Sequence, residues 1–222
     1  MVRFGVLLGF VAFVGLFGPA AAGSRSAHAR IAALATAPPA TVRLPARTTS
    51  AIAGSETTVP FGWIDFCRRY AGECDVEPMP AADVTITAAT WAKIDRINRF
   101  VNGAIEPVSD MDHWGVIDQW DYPLDAKGDC EDYALLKRKL LIEAGLPRQA
   151  LLMTVVRDHE DQGHALLTVK TNGGDYVLDN LSDEIKPWSS TGYRFVKRQS
   201  QENPDVWLTL RGPDVPDVAA TK

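Results

Sequence analysis

The chain has 222 residues, a net charge of −5, a mean hydropathy of −0.08 and three cysteines. It carries no cluster of basic residues. That balance argues against nucleic acid as a partner and against a polybasic membrane patch.

Met1–Arg3 is a short basic start, followed by an apolar run from Phe4 to Phe17 and small residues at Ala20–Ala22 and Ala27–Ala29. This is the order of a secretory signal peptide, predicted over residues 1–29 and removed on export. The run is short for a bilayer span, which takes about 20 apolar residues. Cleavage leaves about 190 residues, enough for one domain with a substantial core. The predicted outcome is export.

Residues 30–60 are rich in Ala, Pro, Thr and Ser and show neither helical nor strand periodicity, so a flexible leader is expected there. The domain is expected over 61–212, with a short tail at 213–222. Cys67 and Cys74 stand seven residues apart, and in an exported chain such a pair reads as a local disulfide. Zinc is the competing reading, but no second C-x-x-C or H-x-x-H spacing accompanies the pair.

From Thr87, Trp91, Ile94, Ile97, Val101 and Ile105 recur near helical spacing and predict a helix. Residues 106–128 read as a loop rich in aspartate and tryptophan. A second helix opens at Cys130, with Ala134, Leu135, Leu136, Leu140, Leu141 and Ala144 as its apolar face and Lys137, Arg138 and Lys139 on the wet side. Gly145 and Pro147 stop it. The period then changes. Leu151–Asp158 and His164–Thr171 are predicted strands, Asn172-Gly173-Gly174 turns into a third at Asp175–Leu181, and Thr191–Ser200 suits a fourth. Helices followed by an antiparallel meander predict an α+β fold.

Cys130 is the cysteine without a neighbour. Asp129 suits the N-cap, and Asp132 three residues on suits the far end of a capping box. Cys130 then sits in the first turn, where free N–H groups and the positive helix end favour a thiolate. A lone cysteine is otherwise a small buried hydrophobe, but a helix start flanked by carboxylates suits a nucleophile better. The nucleophile needs a base. His164 is favoured over His113 and His159 because a strand holds it rigidly. Asp179 on the next strand is the expected orienter of its ring, within diagonal reach, and Asn180 is an alternative on the opposite face. The Cys130 N–H is the natural oxyanion donor. Trp120 could offer an indole N–H, with burial in the core as its plainer role.

The order Cys130, His164, Asp179 resembles the papain- and transglutaminase-like core. D-x-W-x-x-P (Asp118, Trp120, Pro123), GDCEDYA from Gly128, GHALLTV from Gly163 and GDYVLDNL from Gly174 are similar to the bacterial transglutaminase-like cysteine proteinases, and among them to the periplasmic LapG-type proteases. The likeness runs from about Phe61 to Leu210. It implies N-terminal helices packed on an antiparallel sheet, and peptide hydrolysis through a thioester with Cys130, His164 and Asp179 as triad. It also implies a calcium ion held by Asp129 and Glu131, a large cell-surface adhesin as substrate and an inner-membrane receptor as regulator.

Calcium has a physical logic of its own here. Carboxylates raise the pKa of a neighbouring thiol, and a hard divalent cation on their oxygens cancels that effect. Asp118, Asp121 and Asp125 are further candidate ligands, and simple capping by Asp129 and Asp132 is the plainer alternative. Two other function classes share the motifs. One is acyl transfer to an amine by a transglutaminase, and the other is a non-catalytic binding module.

Overall fold

A computed structural model describes residues 43–211 of the protein. The predicted signal peptide, the leader up to residue 42 and the tail from residue 212 lie outside the described residues. The architecture is α+β, with the helices ahead of every strand of the main sheet except the first. Helices α1 (Phe61–Arg69), α2 (Ala71–Cys74), α3 (Ala88–Ala104), α4 (Asp110–His113) and α5 (Cys130–Glu143) precede the long strands of the sheet. The strands are β1 (Ala53–Thr57), β4 (Leu151–Arg157), β5 (Gly163–Thr171), β6 (Gly174–Asp179), β7 (Ser182–Pro187), β8 (Arg194–Gln199) and β9 (Trp207–Leu210), in the spatial order β1-β9-β8-β4-β5-β6-β7. Every pairing in this sheet is antiparallel. Two-residue strands β2 (Glu106–Pro107) and β3 (Lys127–Gly128) pair in parallel and form a neck that closes the 108–126 loop.

α5 packs on β4, β5 and β6, and α3 packs on α5 and β7. The main core lies on the α5 side of the sheet. There Trp63, Phe66, Ile94, Leu135, Leu141, Leu151, Met153, Leu167, Val169 and Leu178 are buried together. Alternation along the strands sends Val156, Leu166, Val177 and Phe195 into a second cluster with Trp188. Each such side chain stabilises the fold by about 1.5–3 kcal/mol through the apolar area it removes from water.

α5 ends as its residues predict. Gly145 takes a left-handed conformation (φ 89°), and the Leu146 N–H reaches back to Leu141 O at 3.0 Å. Its basic run does not lie on a wet face as expected: Lys137 and Arg138 are buried. The helix is covered by the sheet on one side and by α3 on another, so residues opposite its apolar stripe are enclosed as well. Arg138 meets this by donating to Leu151 O (3.1 Å) and lying over the Trp63 ring (5.7 Å).

Residues 43–60 also depart from the expected leader. β1 completes the sheet against β9. Ahead of it the chain is fastened across the β5–β6 turn, by Thr48 N–H to Gly173 O (2.8 Å), Asp175 N–H to Thr49 O (3.0 Å) and Tyr176 OH to Ala46 O (2.6 Å). Asp175 is fully buried and accepts from Lys170 (3.0 Å), Arg198 (2.8 Å) and the Ala51 N–H (3.0 Å). A buried carboxylate so paired keeps its charge satisfied while holding the segment down. The segment carries no side-chain pattern because it is held by backbone bonds to the hairpin it crosses, and of its own side chains only Ala51 is buried.

Candidate active site and carboxylate cluster

Asp129 N-caps α5, and Asp132 reaches back to the Asp129 N–H (3.4 Å) as the acidic end of a capping box. The close approach needs Gly128, because a Cβ there would lie 2.4 Å from Asp132 Oδ2. Cys130 is therefore the first helical residue and is partly exposed. Its thiol lies 3.0 Å from Glu131 Oε2, to which it donates, and Sγ accepts the Ala165 N–H at 3.3 Å. That second contact ties the sulfur to β5, one residue from His164.

His164 and Asp179 are both buried, and His164 Nε2 lies 2.9 Å from Asp179 Oδ1. Continuing the register of Leu167 opposite Leu178 puts Asp179 opposite Leu166, a diagonal step from His164 on the same side of the ladder. Asp179 also accepts from the Leu181 N–H (3.0 Å) and from Tyr193 OH (2.6 Å). Burial works against the Asp179 carboxylate, but the bonds from His164, Tyr193 and Leu181 together hold its carboxyl below the ordinary value. An ionised Asp179 accepts a hydrogen bond from the Nε2–H of His164 and so leaves the Nδ1 lone pair for another partner.

The other candidates go elsewhere. His113 bonds to Asp125 (2.8 Å) and stacks on Trp114. Asp118 accepts the Trp120 indole N–H (2.8 Å), which engages that donor, and Trp120 is buried against Trp63 and Trp207. Asp121 is held by Arg69 (2.7 Å), Tyr70 and the Tyr122 N–H. Cys67 and Cys74 form a disulfide.

Asp110, which no spacing in the sequence marks, joins the site. The 108–126 loop closes on the β2–β3 neck, and α4 opens there with Ser109 as its N-cap. This brings the Asp110 N–H to Asp129 Oδ2 (3.1 Å). Carboxylate oxygens of Asp110, Asp129 and Asp132 lie within 4.8 Å of one another, as do donor atoms of Asp129, Cys130 and Glu131. Asp110 Oδ1 and Asp129 Oδ1 are buried with no hydrogen-bond partner. The crowding shows in the acidities. Burial, then the Asp129 charge, pushes Glu131 up to about 9, and burial with the charges of Asp129 and Asp110 pushes Asp132 up to about 8. Burial and then Glu131 push the Cys130 thiol well above its ordinary value. Several enclosed carboxylates with unpartnered oxygens fit a hard, oxygen-seeking divalent cation.

A cysteine at a helix start, with a histidine–aspartate pair on the following antiparallel strands, is the arrangement of the papain- and transglutaminase-like cysteine enzymes. The model of the bacterial transglutaminase-like cysteine proteinase family matches residues 53–215, and the chain belongs to that family. Among solved structures, LapG of Legionella pneumophila is similar at 26% identity and a TM-score of 0.46, over 54% of this chain and 68% of that one. Its calcium-bound form gives 24% and 0.46 over 56% and 73%, and its EGTA-treated form gives 24% and 0.47 over 56% and 72%. These partial likenesses carry no weight in the assignment, which rests on the family match. No curated protein matches the chain.

Proposed function

We propose that the protein is a periplasmic, calcium-dependent cysteine endopeptidase in which Cys130, His164 and Asp179 form the triad. The observation that carries this reading is the buried His164–Asp179 pair at 2.9 Å, with the Cys130 thiol bonded to the Ala165 N–H one residue along the same strand. His164 Nδ1 takes the thiol proton, and the thiolate attacks the scissile carbonyl carbon. The resulting oxyanion is met by the Cys130 N–H at the positive end of α5. The imidazolium returns its proton to the leaving amine as the C–N bond breaks, which leaves a thioester. Water then gives its proton to His164 and attacks the thioester carbonyl. The acid is released and Sγ regains its hydrogen. Asp179 stays ionised throughout and stabilises the imidazolium.

Asp110, Asp129 and Glu131, with Asp132 beside them, would hold the calcium ion. Its positive charge would favour the thiolate over the thiol that Glu131 now accepts from. Export is carried by the signal peptide expected over residues 1–29, and a large adhesin as substrate and an inner-membrane receptor as regulator by the likeness of GDCEDYA, GHALLTV and GDYVLDNL to the LapG-type branch.

The test compares exported proteins incubated with wild-type chain and with Cys130→Ala, in calcium and in EGTA. A new N-terminus on a surface protein is expected with wild type in calcium, and none with the variant, which folds as wild type does. Cleavage by Cys130→Ala removes the nucleophile assignment. Capture of an added primary amine in place of cleavage makes the enzyme an acyl transferase.

A further inference from the structure

Only one oxygen of Asp179 serves His164. The other, Oδ2, accepts the Tyr193 hydroxyl at 2.6 Å. Tyr193 belongs to neither strand of the histidine–aspartate pair. It stands just ahead of β8, which β4 separates from β5 in the sheet. The turn that presents it is built for that reach. Thr191 Oγ1 donates to Trp188 O (2.9 Å) and accepts the Tyr193 N–H (3.2 Å), and Gly192 takes a left-handed conformation (φ 75°) that other residues resist. The Tyr193 ring meets the His164 ring edge-on, with centroids 5.7 Å apart and planes at 71°. On its other side lies His159, 5.1 Å away. One side chain thus touches both members of the pair, the carboxylate through its hydroxyl and the imidazole through its ring.

We propose that Tyr193 is a positioning residue of the catalytic constellation, locking the Asp179 carboxylate in the rotation that orients the His164 ring. The inference rests on the triad reading given above. A carboxylate turns readily about its last torsion, which is broad and nearly two-fold. Bonding Oδ1 alone leaves that rotation loose. A short hydroxyl bond to Oδ2 fixes it, and bonds to an ionised acceptor are the strong ones. The hydroxyl also stabilises the charge on Asp179, so the carboxylate stays an acceptor and the His164 proton stays on Nε2. Packing alone accounts for a ring at this place but not for the hydroxyl, since a phenylalanine side chain would fill the same space.

The test reads Cys130 directly. It is the one free cysteine of the chain, so iodoacetamide reports on it without knowledge of the substrate. Alkylation rates are measured at neutral pH in saturating calcium on full-length wild type, Tyr193→Phe and His164→Ala. Low-field proton spectra follow the imidazole N–H bonded to Asp179, assigned by its loss in His164→Ala. Tyr193→Phe is expected to react about tenfold more slowly or worse, to melt within a few degrees of wild type, and to shift or broaden the imidazole resonance. A wild-type rate in Tyr193→Phe beside a slow His164→Ala overturns the role of Tyr193 and leaves the triad standing. A slowed rate with an unmoved resonance places the loss elsewhere and overturns it too. If His164→Ala reacts like wild type, the triad reading falls and the Tyr193 role falls with it.

Discussion

Asp110 shows how one side chain reports a missing charge. It is 4% exposed, one of its oxygens has no partner, and it shares its pocket with Asp129 and Asp132. An unpaired buried polar atom costs about 1–3 kcal/mol, and more when it is charged. Asp110→Asn keeps an oxygen for the Gln119 N–H while removing one negative charge. Without calcium the variant is expected to melt above wild type, because like-charge repulsion is relieved. In calcium the order reverses, since one ligand is weakened and ligand-linked stabilisation scales with affinity. Thermal unfolding of both proteins in EGTA and across a calcium titration checks this. A wild-type melting temperature indifferent to calcium, or equal calcium binding by the variant, ends the argument. Asp129 and Glu131 are candidate ligands in the sequence because they match the acidic positions that flank the cysteine in the LapG-type proteases it resembles. Asp110 was not, because its approach depends on a neck of two paired residues that has no periodicity to read.

At the scale of the element, α5 divides the legible from the illegible. Its start, its stop and its apolar stripe followed from Asp129, Gly145 and the leucine spacing. Its charged side did not, because a stripe says which face is buried and nothing about what covers the others. Lys137 is the consequence: its Nζ is buried without a partner, and burial lowers its pKa to about 7 despite the charges of Asp179 and Asp183. A lysine whose folded pKa lies below its unfolded value near 10.4 contributes full stability only above that value. The contribution is lost as pH falls through about 7. Lys137→Met therefore removes a cost that is greatest at neutral pH. The variant is expected to melt a few degrees above wild type at pH 7, with the gain shrinking toward pH 10. Melting curves across that range measure it, and a gain independent of pH, or a loss at pH 7, refutes it. The strands divide in the same way. β4, β5 and β6 announced themselves by β-branched and apolar runs, whereas β7 (SDEIKP) is a charged, proline-ended edge strand of the kind that resists pairing with other chains.

Across the whole molecule, the site is held by a chain of contacts that starts at the disulfide. Cys67–Cys74 joins α1 to α2, and the last residues of α1 run on to Arg69 and Tyr70, which grip Asp121. The Asp121 N–H in turn bonds Asp132 Oδ1 (2.7 Å) in the first turn of α5. Gly62 lies so close to Trp120 that a Cβ would fall 2.2 Å from the indole, which seats α1 against the same loop. Two roles for the disulfide follow, and they separate experimentally. If it acts on the unfolded chain, closing a loop across seven residues stabilises the fold by about 2–3 kcal/mol and leaves the native site alone. If it acts on the folded site, its loss loosens the grip on Asp121 and with it the start of α5. The packing favours the first. Trp63, Phe66 and Tyr122 are buried together, and the rings of Phe66, Tyr70 and Tyr122 meet in tilted and edge-on contacts without help from the sulfurs. The double variant Cys67→Ala/Cys74→Ala is therefore expected to melt about 5–10 °C lower while Cys130 alkylates at the wild-type rate at 25 °C. A slowed rate at that temperature, with the fold intact by circular dichroism, would move the disulfide from a constraint on the unfolded chain to a support of the site itself.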